Sequence, residues 1–132
     1  MPCRDLLDRN GVKLQAFDCY QTHEAFAGKA LCTLAAWESD DFCRRTLGRS
    51  AALGVIDRAR LNINGGSVGL GHPFAAAGAQ ILGGAAKQLA PHRQRTGRTG
   101  RTLVSICAAG GLGVTAILES AGECFWHSVV TR

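Results

Sequence analysis

The stretch Asn64-Gly65-Gly66-Ser67-Val68-Gly69-Leu70-Gly71-His72-Pro73-Phe74 carries a histidine out of a glycine-rich turn and onto a segment, Phe74 to Leu89, rich in small and aliphatic residues. Core packing does not ask for a histidine there. Gly65, Gly66, Gly69 and Gly71 let a ligand or a second stretch of backbone come close. Pro73 suits a first helical position, where its missing N–H costs nothing. A helix N-terminus bears partial positive charge, so a histidine delivered to one is expected to serve as a neutral base. The stretch therefore predicts a loop, a reactive histidine and a buried helix, in that order.

Two further segments place chemistry at element boundaries. His23-Glu24-Ala25-Phe26-Ala27 follows an apolar run and opens an apolar periodic one. Ser105-Ile106-Cys107-Ala108-Ala109-Gly110-Gly111-Leu112-Gly113 sets a cysteine at the mouth of a second glycine-rich turn. Backbone N–H groups freed in such a turn can stabilise a developing oxyanion beside the thiol. Two histidines and a cysteine so placed point to one acyl-transfer site.

In order and approximate spacing, HEAFA, NGGSVGLGHPFAAAG and SICAAGGLG resemble the three carboxy-terminal motifs of the thiolases. The likeness is closest to the 3-ketoacyl-CoA thiolases of the β-oxidation trifunctional complex, which carry HEAFA where most members carry NEAFA. It implies an α/β, thiolase-like fold, of which this chain is the C-terminal domain portion: a mixed sheet flanked by helices, one of them buried. It also implies thiolytic cleavage of a 3-ketoacyl-CoA by CoA to acetyl-CoA and a shortened acyl-CoA. In that reaction Cys107 is the general acid and base, and His72 activates the nucleophilic cysteine. His23 holds the thioester oxygen together with His72, and the backbone N–H of Ala109 forms an oxyanion hole. Gly71, Phe74 and Glu24 are candidate substrate-binding positions. Ala109 stands where most thiolases have glycine, and Ala77 where serine or threonine is usual.

The resemblance places the acylated cysteine in an amino-terminal half without counterpart here, so the chain is expected to show no thiolysis by itself. Its implied partners are acyl-CoA, CoA, that amino-terminal half, and a homo-oligomer or trifunctional-type complex. A catalytically inert fragment or assembly module is the alternative. Residues 1–122 are expected to form the domain, incomplete on its amino-terminal side, and residues 123–132 a tail without counterpart. No metal or prosthetic group is implied, coenzyme A being a co-substrate.

Composition agrees with a globular domain: 132 residues, 46% hydrophobic, suffice for a core. The formal net charge is +5, and Arg93, Arg95, Arg98 and Arg101 contribute four positive charges within one short stretch. Without aromatic residues to stack bases, that stretch reads as a basic loop between a helix and a strand rather than a nucleic-acid arm. The six cysteines lack CxxC pairs and zinc-type spacing to the histidines, and read as reduced thiols of a cytoplasmic protein. Residues 61–86 carry no charge but are broken by Asn62, Asn64, His72 and Pro73, which leaves too short a run for the ~20 residues of a membrane span. Gly111-Leu112-Gly113-Val114-Thr115-Ala116 satisfies GxGxxA after a strand, yet no helix, second strand and acidic residue follow as dinucleotide binding requires.

Local signals predict a short helix ending at Asn10-Gly11 and a strand ending at His23. A helix from Glu24 follows, with Thr22 as cap and Glu24 in its first turn. Ser39-Asp40-Asp41 opens another, closed by Gly48. Leu61-Asn62-Ile63 reads as a short strand, and Thr102–Cys107 and Val114–Glu119 as two more.

Overall fold

The computed structural model describes residues 2–120; the expected tail at 123–132 lies outside them. Its centre is a sheet of β1 (Cys19–Thr22), β2 (Arg101–Ala108) and β3 (Leu112–Glu119), in that order, with β1 parallel to β2 and β2 antiparallel to β3. The register sets Tyr20 beside Leu103 and Gln21 beside Val104. Alternation along β2 then feeds both faces of the sheet. Leu103 enters the core built by α1 (Pro2–Asn10), α2 (Ala27–Glu38) and α3 (Asp40–Leu47), with Phe17, Trp37 and Cys43 at its centre. Val104 points the other way, into a smaller cluster with Ile81 and Ala85 of α5 (Ala77–Thr96). The mixed sheet with helices on its faces is the architecture expected from the motifs.

Several boundaries follow their local chemistry. Ser39 caps α3 by accepting from the Phe42 amide at 3.2 Å, and Gly48 closes it at φ 64°. Gly11 ends α1 in the same left-handed region, at φ 61°. Between β2 and β3 the chain reverses through a turn over Ala109–Gly111, where Gly110 and Gly111 take φ 80° and 75°. Because Gly111–Ala116 form this turn and an antiparallel strand, the dinucleotide fingerprint has no helix to open.

Other expectations need correction. The helix after His23 begins at Ala27, not Glu24, with Phe26 as its uncapped boundary. Thr22 cannot cap it, because Thr22 ends β1 and its amide is bonded to Asn62 Oδ1 at 2.9 Å. Leu61-Asn62-Ile63 makes only one bridge, Leu61 to Tyr20. The glycine loop contains a single helical turn, α4 (Ser67–Leu70). Pro73 precedes a tight turn over Phe74–Ala76, and α5 starts at Ala77, so His72 lies outside the first turn of the long helix. That position weakens the expected influence of the helix terminus, which fades within one turn.

Helix α5 also runs past Pro91 to Thr96, so Arg93 and Arg95 are helical and the basic segment is only partly loop. The ring of His92 holds this last stretch down: a Cβ added at Gly100 would meet it at 2.6 Å. Gly97 closes the helix at φ 71°, its N–H donating to Arg93 O at 2.8 Å. The helix is buried along one stripe, Ala77, Ile81, Ala85 and Leu89, while Leu82, Gly83 and Lys87 face outward.

Candidate active site

The parallel pairing of β1 with β2 carries His23 to the strand ends, where its N–H donates to Ser105 O at 2.8 Å. That register sets the imidazole over the end of β2. Its Nδ1 lies 3.2 Å from Cys107 O and 3.4 Å from Cys107 Sγ. A carbonyl can only accept, so Nδ1 carries the proton in the neutral ring. The same N–H then faces the sulfur. Nε2 is left with a lone pair, buried and without a partner among the described residues.

His72 completes the cluster. Its ring meets that of His23 edge to face, with centroids 4.6 Å apart and planes 77° apart. Phe74 stacks on its other side at 4.7 Å and 18°. The stack comes at a backbone cost, for Phe74 takes φ 47°. An aromatic residue in the left-handed region is an outlier worth roughly 1–3 kcal/mol, of the kind that collects at functional sites. His72 Nδ1 is buried and unpartnered among the described residues, like His23 Nε2. Buried polar atoms are almost always satisfied. Two unsatisfied imidazole nitrogens in one cluster therefore mark where a polar group of a ligand, or water, belongs.

Cys107 is half-buried and lines a cleft of about 320 Å³ with Cys3, Lys29, Thr33 and the β2–β3 turn. Ala109 opens that turn, two residues past the sulfur, which puts its amide at the same end of the sheet. Gly71 has φ 98° and swings the chain from α4 into His72, a conformation closed to most other residues. Exposed apolar side chains surround the cluster in sequence: Phe26 at 76%, Phe74 at 82%, and Val68, Leu70, Leu112 and Val114 above half.

Glu24 has a different place from the one its motif suggests. One carboxylate oxygen receives the side-chain amide of Asn62, and the other receives the Val68 N–H at 3.2 Å. It ties the strand end to the glycine loop. Asn62 escaped the sequence reading because it lies in no recognisable motif position; its only signal is asparagine's tolerance of positive φ, here 46°. Among the described residues no group of three or more His, Cys, Asp and Glu is arranged to hold a metal ion.

Two imidazoles and a thiol thus gather at the end of a mixed sheet in an α/β domain, an arrangement whose family can be stated. The family described as thiolase, C-terminal domain, matches residues 1–120, and the chain belongs to that family. A 3-ketoacyl-CoA thiolase of Pectobacterium carotovorum is 48% identical over 113 residues, which cover 86% of this chain and 25% of that protein. The chain thus spans about a quarter of the length of the curated relatives it matches. Among solved structures, the peroxisomal 3-ketoacyl-CoA thiolase of Saccharomyces cerevisiae superposes with a TM-score of 0.63 at 26% identity, over 91% of this chain and 28% of that one. The acetyl-CoA acetyltransferase of Bacillus anthracis gives 0.57 at 29% identity, over 87% and 24%.

Proposed function

We propose that this chain supplies the acid–base half of a thiolase site, which cleaves a 3-ketoacyl-CoA with CoA to acetyl-CoA and a shortened acyl-CoA. The reading rests above all on one observation, the approach of His23 Nδ1 to Cys107 Sγ at 3.4 Å beside the His23–His72 pair. In the reaction a thiolate of the complete enzyme attacks the 3-keto carbon, and the bond from C2 to C3 breaks. The electron pair passes to C2 of the departing acetyl-CoA. Cys107 gives C2 its proton, and the resulting thiolate then takes the proton of the incoming CoA thiol, whose sulfur attacks the acyl-enzyme thioester, forming the shortened acyl-CoA and releasing the nucleophilic thiolate, so both groups end as they began. The Nδ1–H of His23 stands opposite the sulfur and can meet its lone pair in the thiolate state.

His72 activates the nucleophile, and its free nitrogen together with that of His23 faces the thioester oxygen. In the neutral tautomer set by Cys107 O, Nε2 of His23 accepts rather than donates. Holding an oxyanion directly through Nε2 therefore requires the imidazolium, while a bridging water would suit the neutral ring. The Ala109 amide serves the second oxyanion, and Gly71, Phe74 and the acyl-CoA meet at the exposed apolar rim. The outer face of α5 and that rim are covered by the remainder of the thiolase, in a homo-oligomer or larger β-oxidation assembly of the reducing cytoplasm.

The test is a transplant. Residues 2–120 replace the matching quarter of the Pectobacterium enzyme, and thiolysis of a 3-ketoacyl-CoA is followed. Activity that disappears with Cys107→Ala supports the proposal. A folded chimera without turnover contradicts it and favours an inert assembly module. The chain by itself is expected to show no turnover above its Cys107→Ala control, because removing one member of a cooperating catalytic set costs several orders of magnitude.

A further inference from the structure

Asn62 makes a set of bonds that no simple loop residue needs. Its backbone N–H donates to Tyr20 O at 2.9 Å, its Oδ1 accepts from the Thr22 N–H at 2.9 Å, and its Nδ2 donates to Thr22 O at 2.9 Å. The side chain thus does for the last residue of β1 what a neighbouring strand would do. The second hydrogen of Nδ2 goes to Glu24, whose other oxygen holds the Val68 amide in α4. Gly66 leaves room for that carboxylate: a Cβ there would lie 2.3 to 2.6 Å from its atoms.

The two ends of this chain of bonds are the supports of the two histidines. Thr22 immediately precedes His23, and α4 ends at Leu70, one residue before Gly71-His72. The His23 ring is held through Nδ1 by Cys107, while His23 Nε2 and His72 Nδ1 have no hydrogen-bond partner among the described residues, so hydrogen bonds to these atoms do not set the angle between the rings. Asn62 and Phe74 are also the two non-glycine residues with positive φ among those described, and they bracket the segment that carries His72.

We propose that Asn62 is a positioning residue which, through Glu24, sets the edge-to-face approach of His72 to His23. The proposal deepens the acyl-transfer reading and rests on it for its purpose, though its geometry can be tested without catalysis. Asparagine suits the position because it offers an acceptor and two donors at once and tolerates left-handed backbone. Aspartate keeps the acceptor, loses both donors and sets a second carboxylate against Glu24.

The test uses the full 132-residue chain. Cross-peaks between the ring protons of His23 and His72 are recorded by NMR in the unsubstituted chain, Asn62→Gly, Asn62→Asp, and Asn62→Asp combined with Glu24→Gln. Glycine deletes the side chain yet keeps the backbone conformation. The expected results are loss of the cross-peak in both single variants and its return in the double variant, where glutamine donates to the new carboxylate. An undiminished cross-peak in either single variant, or no recovery in the double variant, overturns the proposal. If Asn62→Gly does not fold, the Asn62→Asp pair decides in the same way. Carried into the chimera, the substitutions separate the two ideas: no turnover with unsubstituted Asn62 counts against the acyl-transfer reading, whereas a cross-peak indifferent to Asn62 counts against this one.

Discussion

Substituting Gly66 by alanine should change sign with the residue opposite it. Gly66 has φ −125° and ψ −167°, extended backbone open to any residue, so alanine brings no conformational strain of its own. Its only penalty is contact: the added Cβ would lie 2.3 to 2.6 Å from the Glu24 carboxylate, which must leave. With it go the bonds to Asn62 and to the Val68 amide. Hydrogen bonds to charged groups contribute about 1.5–3 kcal/mol when buried, and Glu24 is half-buried. Water replaces part of what is lost, so the expected cost is about 1–2 kcal/mol. In a Glu24→Ala background there is no carboxylate to displace. There the substitution should stabilise, because alanine restricts the unfolded chain by about 0.4–1 kcal/mol. Urea denaturation of the four proteins, followed by circular dichroism, gives the coupling, about 2 kcal/mol. Equal effects of Gly66→Ala in both backgrounds would refute the reasoning, because Glu24 would then not be seated against Gly66.

Three further outcomes follow from the packing and the charges. Burial pushes the Cys3 thiol from 9.0 up to about 12, against a smaller opposing pull from the amino terminus. The folded state thus keeps a proton that the unfolded chain releases, and stability present below pH 9 is lost as pH rises toward 12. Tyr20 and Cys19, both raised by burial, add to this loss, so the urea midpoint should fall across that window, less steeply in Cys3→Ala. Asp18 behaves in the opposite sense. Burial works to raise its carboxyl, but the Arg98 guanidinium and the Arg101 amide overcome burial and hold it below 3.8. Its contribution is present above pH 3.8 and lost as pH falls through the lowered value, so Asp18→Asn should cost about 1–2 kcal/mol in urea unfolding at pH 7, a cost that shrinks as pH falls below 3.8. Leu103 is 1% exposed at the junction of the sheet with α1–α3, and Leu103→Ala should cost about 2–5 kcal/mol. A loss below about 1 kcal/mol in thermal or urea unfolding would show that this core is loosely packed.

What could be read in the sequence was local or carried by motif. The α3 cap at Ser39, the Gly48 stop and the strands on either side of the Ala109–Gly111 turn follow from short-range chemistry, and the structure has them, whereas α5, expected as a buried helix, is buried along one stripe only. Where the reading went astray, a distant partner had the stronger claim. Thr22 and Glu24 look like a cap and a first-turn acid, but Asn62 takes both for itself from forty residues away. The stretch holding Arg93 and Arg95 reads as loop, yet α5 runs on to Thr96, with His92 packed over Gly100. His23, His72 and Cys107 were legible as members of one site, but the contacts among them were not. The sequence offered no sign that His23 reaches the sulfur of Cys107 itself, because that depends on the parallel register of β1 and β2. Asn62, lacking a motif, was invisible until its partners were in place.

The convergence of imidazole and thiol can be measured without substrate. The rate of Cys107 alkylation by iodoacetamide, resolved by mass spectrometry, is compared between the unsubstituted chain and His23→Ala, with exposed Cys32 as the internal reference. A charge-assisted hydrogen bond from His23 supports the attacking thiolate while partly damping its nucleophilicity, so the substitution should slow Cys107 by roughly several-fold at neutral pH and leave Cys32 unchanged. Equal Cys107 rates in the two proteins would contradict the account, since the imidazole would then not reach the sulfur in solution.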